Sequence, residues 1–537
     1  MRRIRAAPGR REAGLQQDGR VTRRALPAAL LACALLSAGC SATLRPQAAG
    51  TAPPSVAEQS SPSVAASSPA TPAAPTAAAP SVLTWTDCKD GFQCAALGVP
   101  LDYAHPDTGR IGLRVIRIRA SRPTQRVGAL VINPGGPGVS AVDFLRGFAG
   151  GSLPAPIRRS FDLVAFDPRG TTGSSPVHCA TTAEFDRYVH VDPDPDTPAE
   201  VNALLAANRA FDAGCQRRSG RILPHVSTAD AARDMDSLRA ALHEPRLTYL
   251  GYSYGTALGA AYLDQFPTHV RAMVLDGALD PRSTWDQLLV GQERGFEQAF
   301  ASFLRWCDAH RSTCDFRRAV SGDLASAYDR VKAGVERKDL PGDGRRTVGP
   351  GELSYGVGQA LYSVSYWQFL GTALADATRG DGSLLLQLSD IYLDRTDKGY
   401  ANTIDANNAV NCIDKPWPRD PAAYQQLAAR SRSYAPRFGP SIAWSGASCA
   451  SWPVPATGRP HAVTGKGSPP ILVVGTTRDP ATPYIWAQGL AAQLADGVLL
   501  THVGDGHTAY REGAPACIVD PVDTYLLTAR RPVAARC

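Results

Sequence analysis

Leu247-Thr248-Tyr249-Leu250-Gly251-Tyr252-Ser253-Tyr254-Gly255 joins a short apolar run to a serine bracketed by glycines. Gly251 to Gly255 has the G-x-S-x-G form of a nucleophile elbow, a tight turn that holds a serine between a strand and a helix. Side chains at the two glycine positions would collide with neighbouring backbone in so tight a turn. Thr256 to Phe266 is rich in Ala and Leu and reads as the following helix, ended by Pro267. Strand, turn and helix thus occur in the required order. The motif alone is common in a chain with 49 glycines, and its weight comes from this context.

Working outward, the same kind of short apolar run recurs at Ala129 to Ile132, Leu163 to Phe166, Met273 to Leu275, Ile471 to Val474 and Val498 to Val503. Brief, nearly unbroken runs between helical or loop segments are the signature of parallel strands buried on both faces. Leu97 to Leu101 and Ile111 to Ile118, separated by the turn His105 to Gly109, read as an antiparallel pair at the start of the fold. A closing helix is expected near Val519 to Leu527. The fold class is therefore α/β, with a doubly wound, mostly parallel sheet. Between about Pro281 and Lys466 the strand signal fades, and Trp285 to Trp306 and Tyr355 to Ala377 carry apolar residues at helical intervals. That stretch reads as a mainly helical lid inserted into the core, or as a second independent domain. The expected division is a core in two parts, 82–280 and 467–537, with the lid at 281–466.

The first 24 residues hold eight arginines against Glu12 and Asp18 and lead into an apolar stretch from Ala25 to Ala38. A basic start, a short apolar run and small residues before a cut site describe a secretory signal over residues 1–40. The run is shorter than the ~20 residues that span a bilayer. Thr22 to Leu26 is a partial twin-arginine signal, and Leu36 to Cys40 is similar to a bacterial lipobox, which makes Cys40 the candidate lipidation site. Residues 41–81 are almost entirely Ala, Pro, Ser and Thr, a composition too poor in apolar side chains to fold. Such a tether suits a body standing off a membrane or cell wall. Removal of the signal takes most of the formal charge of +7 with it, so no basic patch for nucleic acid is expected.

Of twelve cysteines, ten lie beyond the export signal. An even number in an exported chain argues for disulfides. Pairing of sequence neighbours (88–94, 179–215, 307–314, 412–449, 517–537) is the simplest arrangement, although sequence does not fix connectivity. The Cys-x5-Cys and Cys-x6-Cys spacings lack histidines at zinc-site intervals, so neither a metal nor another cofactor is expected.

A serine hydroxyl needs a base to take its proton as it attacks, and the base needs a carboxylate to fix its tautomer. In α/β-hydrolases these partners follow the serine in the order acid, then histidine. Asp479 lies just past the Ile471 to Val474 run, and His507 lies in Gly504-Asp505-Gly506-His507 past the Val498 to Val503 run. Both are loops at the carboxyl ends of strands, where open α/β sheets place their sites. Asp276 is the competing acid, Asp505 a candidate for shaping the histidine loop, and His502 and His461 are weaker bases by position. The oxyanion of the intermediate needs preorganised N–H donors. Tyr254, directly after the serine, and Gly136, in Asn133-Pro134-Gly135-Gly136-Pro137-Gly138, are the candidates.

Ser253, Asp479 and His507, together with that NPGGPG loop and Phe166-Asp167-Pro168-Arg169-Gly170, resemble the exported α/β-hydrolase serine peptidases of the prolyl aminopeptidase type. Within these the chain is similar to the secreted tripeptidyl aminopeptidases of high-GC Gram-positive bacteria, over about residues 82 to 537 and including Ala409 to Asp414. Thr172 and Gly173 depart from the Gly-Arg usual at that place. The resemblance implies an extracytoplasmic or membrane-anchored enzyme that releases short peptides from free N-termini of peptides or proteins. Such an enzyme needs an anion at a fixed distance from Ser253 to hold the substrate ammonium, and Glu293, Glu297 and Asp414 are the candidates from the lid. A secreted esterase, an endopeptidase and a catalytically silent envelope-binding lipoprotein are the alternatives.

Overall fold

The computed structural model describes residues 82–148 and 152–537. Residues 1–40, read as an export signal with Cys40, and residues 41–81, read as a tether, lie outside the described residues. Ten strands of the described chain form one sheet: β1 (Thr86–Asp87), β2 (Phe92–Pro100), β3 (Arg110–Ile118), β4 (Gly128–Asn133), β5 (Phe161–Phe166), β6 (Leu247–Tyr252), β7 (Val270–Asp276), β8 (Ile471–Arg478), β9 (Gly497–Asp505) and β10 (Ala535–Arg536), in the spatial order β1-β2-β3-β5-β4-β6-β7-β8-β9-β10. The pairs from β1 to β3 and on to β5 are antiparallel, and all the others are parallel.

Every residue of β4, β5 and β6 is buried. Alternate side chains in a strand point to opposite faces, and two separate apolar clusters result. Val131, Val164, Tyr249, Met273 and Val473 join one, while Leu130, Leu163, Leu250, Val274 and Leu472 join the other. Helices cover both faces, as the unbroken apolar runs require. The expectation of an α/β, doubly wound and mostly parallel sheet is borne out.

The strand ends are in step where the chemistry is expected. Tyr252 of β6 lies opposite Asp276 of β7, Asp276 lies opposite Val474 of β8, and Arg478 lies opposite Asp505 of β9. Ser253, Asp479 and His507 therefore leave the sheet from one edge. From β4 the chain crosses to β5 on one side and later to β6 on the other, so the Asn133 to Gly138 loop sits at the topological switch point where such sheets bind ligands.

Between β7 and β8 the chain is largely helical and forms a cap, beginning with Trp285–Ala309 and running through Thr403–Asp414. Two small antiparallel ribbons interrupt it, Leu340–Pro341 with Thr347–Val348 and Arg395–Thr396 with Gly399–Tyr400. Cap residues such as Phe296, Val357 and Leu370 belong to the same apolar cluster as Met273 and Leu258 of the core. The Tyr355 to Ala377 stretch is two helices, Pro350–Leu361 and Trp367–Ala377, divided at Tyr362. The break leaves the Tyr362 carbonyl free to accept the His507 N–H at 2.8 Å, so the lid is tied directly to the histidine loop.

All five sequence-neighbour disulfides form: Cys88–Cys94, Cys179–Cys215, Cys307–Cys314, Cys412–Cys449 and Cys517–Cys537. Among the described residues no helix is long and apolar enough to cross a membrane.

Candidate active site

Ser253 sits at φ 54°, ψ −125°, between the end of β6 and the helix Tyr254–Gln265. A non-glycine residue in that region is strained, and such strain persists only where surrounding contacts enforce it. Here the Ser253 N–H donates to Asp276 O at 2.9 Å and the Thr256 hydroxyl donates to Ser253 O at 2.6 Å. The bracketing glycines are required by space. A Cβ on Gly251 would lie 2.4 Å from Gly255 O, and one on Gly255 would lie 2.7 Å from Asn133 O.

The loop after β4 lies against this turn. Gly135 is so close that a Cβ there would meet Tyr252 O at 2.7 Å and Ser253 Cβ at 2.8 Å. Asn133 Oδ1 accepts the Gly135 N–H at 2.9 Å and fixes the start of the loop. Its far side is held by the lid, where Asn407 Nδ2 donates to Pro137 O at 3.0 Å. Gly135 N–H is thus occupied, whereas Gly136 and Tyr254 N–H have no partner among the described residues.

His507 and Asp479 are in contact and fully buried. Nδ1 of His507 lies 2.9 Å from both carboxylate oxygens of Asp479. That carboxylate is oriented by the N–H groups of Ala481 (2.9 Å) and Thr482 (2.8 Å) and by the Thr482 hydroxyl (3.0 Å). Thr482 Oγ1 also stands 3.2 Å from His507 Nδ1. The imidazole packs against the Asp276–Gly277 segment, since a Cβ on Gly277 would be 3.2 Å from His507 Cε1. This same segment receives the Ser253 N–H through Asp276 O, which places the imidazole beside the elbow.

Asp276 has another occupation. Its carboxylate accepts N–H groups from Ala509 (2.9 Å) and Tyr510 (2.7 Å), and burial pushes its carboxyl up to about 6. It anchors the backbone past His507 and does not hold the ring. Asp505 ion-pairs with Arg478 at 2.7 and 2.8 Å, joining the ends of β9 and β8. His502 is half-buried with Thr476 Oγ1 at 3.4 Å, and exposed His461 pairs with Asp264.

The three lid acids separate. Asp414 lines a cavity of about 100 Å³ together with Ser253, Gly136, Tyr254 and Lys415. It accepts the Thr228 N–H at 2.8 Å and the Thr228 hydroxyl, which also contacts the Tyr254 hydroxyl at 2.5 Å. Burial pushes its carboxyl up to about 6. Glu297 is taken by Arg437, whose backbone N–H (3.0 Å) and guanidinium (3.2 Å) both donate to it. Glu293 is fully buried, accepts from the Tyr434 hydroxyl, and is pushed up to about 7 by burial. Neither glutamate lines the Ser253 cavity.

Several supporting residues were not singled out for these roles in the sequence. Asp167 accepts from the Ser140 hydroxyl (2.8 Å) and the Val142 N–H (3.1 Å), fixing the segment that follows the Asn133 to Gly138 loop. Arg169, buried, forms a two-point pair with Asp234 at 2.7 Å and donates to three backbone carbonyls. Thr172, at the departure from the family pattern, donates its N–H to Asn402 of the lid at 2.7 Å. Asn133 and Thr482 could have been flagged as polar residues flanking the candidate loops. Asp167 and Asn407 could not, because their partners are remote in sequence. No group of three or more His, Cys, Asp or Glu suited to a metal ion occurs among the described residues.

The comparisons agree with this architecture. A family described as TAP-like protein matches residues 435–537, and one described as alpha/beta hydrolase fold matches residues 128–321. Over 474 residues the chain is 38% identical to serine protease Hip1 of Mycobacterium tuberculosis, covering 83% of this chain and 89% of that one. It is 40% identical over 473 residues to carboxylesterase B of the same organism, covering 84% and 88%. It is 35% identical over 461 residues to the tripeptidyl aminopeptidase of Streptomyces lividans, covering 83% and 85%. The chain is a serine hydrolase, a member of the α/β-hydrolase serine peptidase family that includes mycobacterial Hip1 and the Streptomyces tripeptidyl aminopeptidases.

Proposed function

We propose that the protein is an extracytoplasmic serine exopeptidase that releases short peptides, tripeptides by analogy with the Streptomyces relative, from free N-termini. Ser253 Oγ attacks the scissile carbonyl as His507 takes its proton, with Asp479 holding the imidazole in the tautomer that leaves the other ring nitrogen free to accept. The N–H groups of Gly136 and Tyr254 receive the oxyanion. His507 then hands its proton to the departing amine, and a water activated by the same imidazole releases the peptide from Ser253. The observation that carries the reading is the short, two-point contact of Asp479 with His507 beside the strained Ser253 elbow.

For the substrate ammonium, Asp414 is the proposed anchor, since of the three lid acids it shares the cavity with Ser253. The five disulfides suit an oxidising compartment. Export through residues 1–40, lipidation at Cys40, a tether over 41–81, and division into core (82–280, 467–537) and lid (281–466) complete the proposal. The test is turnover of a free-amine tripeptidyl anilide against its N-acetyl form. The free amine is expected to be cleaved more than ~100-fold better, because acetylation removes the charge that would pair with Asp414 and adds bulk in a buried cavity. Asp414→Asn is expected to erase that preference while Ser253 still reacts with a small phosphonate. Equal cleavage of both forms rejects the exopeptidase.

A second reading is esterase activity, favoured by the 40% identity to carboxylesterase B. The same attack would serve an ester, with no need of Asp414. Hydrolysis of neutral acyl esters with no turnover of free-amine peptides would establish it.

A further inference from the structure

A second cavity, of about 250 Å³, is lined by His507 and by Phe144, Tyr252, Gln359, Tyr366 and Arg511. Ser253, Gly136 and Tyr254 line the other cavity. During acyl transfer the carbonyl oxygen points to the oxyanion donors, and the departing nitrogen must reach the imidazole that protonates it. The acyl part of a substrate therefore extends into the cavity of Ser253, and the departing part extends into the cavity of His507.

Two features of the His507 cavity ask for particular groups. Gln359 is 1% exposed; its side-chain amide is hydrogen-bonded to the Tyr366 side chain, and its carbonyl Oε1 has no hydrogen-bond partner among the described residues. A buried amide oxygen left without a donor is costly, so the site gains when a ligand supplies an N–H. Arg511 is exposed at the mouth, with no ion pair and no side-chain hydrogen bond among the described residues. Asp505, the acid lining the same cavity, is already held by Arg478 at 2.7 and 2.8 Å. The local charge offered to a ligand is thus positive, and an arginine fork fits a carboxylate.

We infer that this cavity is a leaving-group subsite for a dipeptide, whose internal N–H donates to Gln359 Oε1 and whose terminal carboxylate binds the Arg511 guanidinium. The preferred substrates would then be short oligopeptides that end two residues past the cut. This rests on the peptidase reading, and the test separates the two. With free-amine pentapeptides, the free acid should be cleaved about tenfold better (kcat/KM) than the C-terminal amide. N-methylation of the last peptide bond should cost a similar factor. Arg511→Gln should remove the acid-over-amide preference, and Gln359→Leu the sensitivity to N-methylation. Both variants should turn over a tripeptidyl anilide, which carries neither group, like the wild type.

A parallel pair of esters, whose leaving alcohols are lactyl-alanine and lactyl-alaninamide, presents the same carboxylate without requiring peptide cleavage. Preference for lactyl-alanine that Arg511→Gln abolishes, in a protein that cuts no peptide, would reject the exopeptidase and keep the subsite. Equal rates for acid and amide in both substrate series, or a preference that survives Arg511→Gln, would overturn the subsite while leaving peptidase activity intact.

Discussion

Two buried aspartates stand near the imidazole, and their hydrogen bonds assign them different consequences. Asp479 presents both oxygens to His507 Nδ1 at 2.9 Å, while Ala481 N–H, Thr482 N–H and the Thr482 hydroxyl occupy its remaining acceptor positions. In Asp479→Asn one oxygen becomes an NH2. Turned toward the loop, it opposes N–H donors. Turned toward the ring, it forces Nδ1 to accept and puts the proton on the nitrogen that must receive one from Ser253. Loss of the correct tautomer in such a triad costs on the order of 10⁴ in kcat, about 5.5 kcal/mol. Asp276→Asn instead disturbs two backbone N–H groups, those of Ala509 and Tyr510. Leaving one such donor unsatisfied costs about 1–3 kcal/mol, and most of it should appear as lost stability. The assay is kcat on a free-amine tripeptidyl anilide, normalised to folded protein by circular dichroism and thermal melting. A larger kcat loss in folded Asp276→Asn than in folded Asp479→Asn would move the acid to β7.

Gly135→Ala should cut turnover by ~10²-fold or more while leaving the protein folded, because the new Cβ would lie 2.7 Å from Tyr252 O and displace the Asn133 to Gly138 loop proposed to hold the oxyanion; wild-type kinetics would show that the loop has slack. Thiol titration of the mature, denatured, non-reduced protein should find no free group among the ten cysteines in the five bonds, and two or more would contradict the framework. Glu293 holds its proton more tightly folded (about 7) than unfolded (4.5), so its contribution to stability is full below pH 4.5 and is lost as pH rises through 7. Glu293→Gln should therefore raise the melting temperature relative to wild type at pH 8 more than at pH 5, and an unchanged difference would refute the burial argument.

The elbow could be read from sequence because its constraint is local: Gly251 and Gly255 are demanded by backbone four residues apart or by one adjacent strand. Asp479 and His507 were legible for a related reason, since each follows an apolar run that had to be a buried strand, and aligned parallel strands deliver their loops to one edge. Cys88–Cys94 and Cys307–Cys314 close short loops, whereas Cys179–Cys215 and Cys412–Cys449 span 36 and 37 residues, which no local signal fixes. What escaped depends on partners far along the chain. Glu297 is engaged by Arg437, 140 positions away, and Asp167 by Ser140 and Val142 across the sheet edge. The break at Tyr362 in an otherwise helical pattern, where the Tyr362 carbonyl accepts the His507 N–H and Ser363 caps the next turn, is not carried by periodicity. The ribbons at Leu340 and Arg395 are two residues per strand, too short for any alternation to register.

Everything proposed for this site requires Ser253 to carry the acyl group. The most direct measurement is peptide mapping by mass spectrometry after reaction with a fluorophosphonate, run beside turnover of the tripeptidyl anilide. One adduct is expected, on the peptide containing Ser253, with turnover falling in proportion to labelling and both signals absent from folded Ser253→Ala. An adduct on another serine, or wild-type turnover by Ser253→Ala, would contradict it.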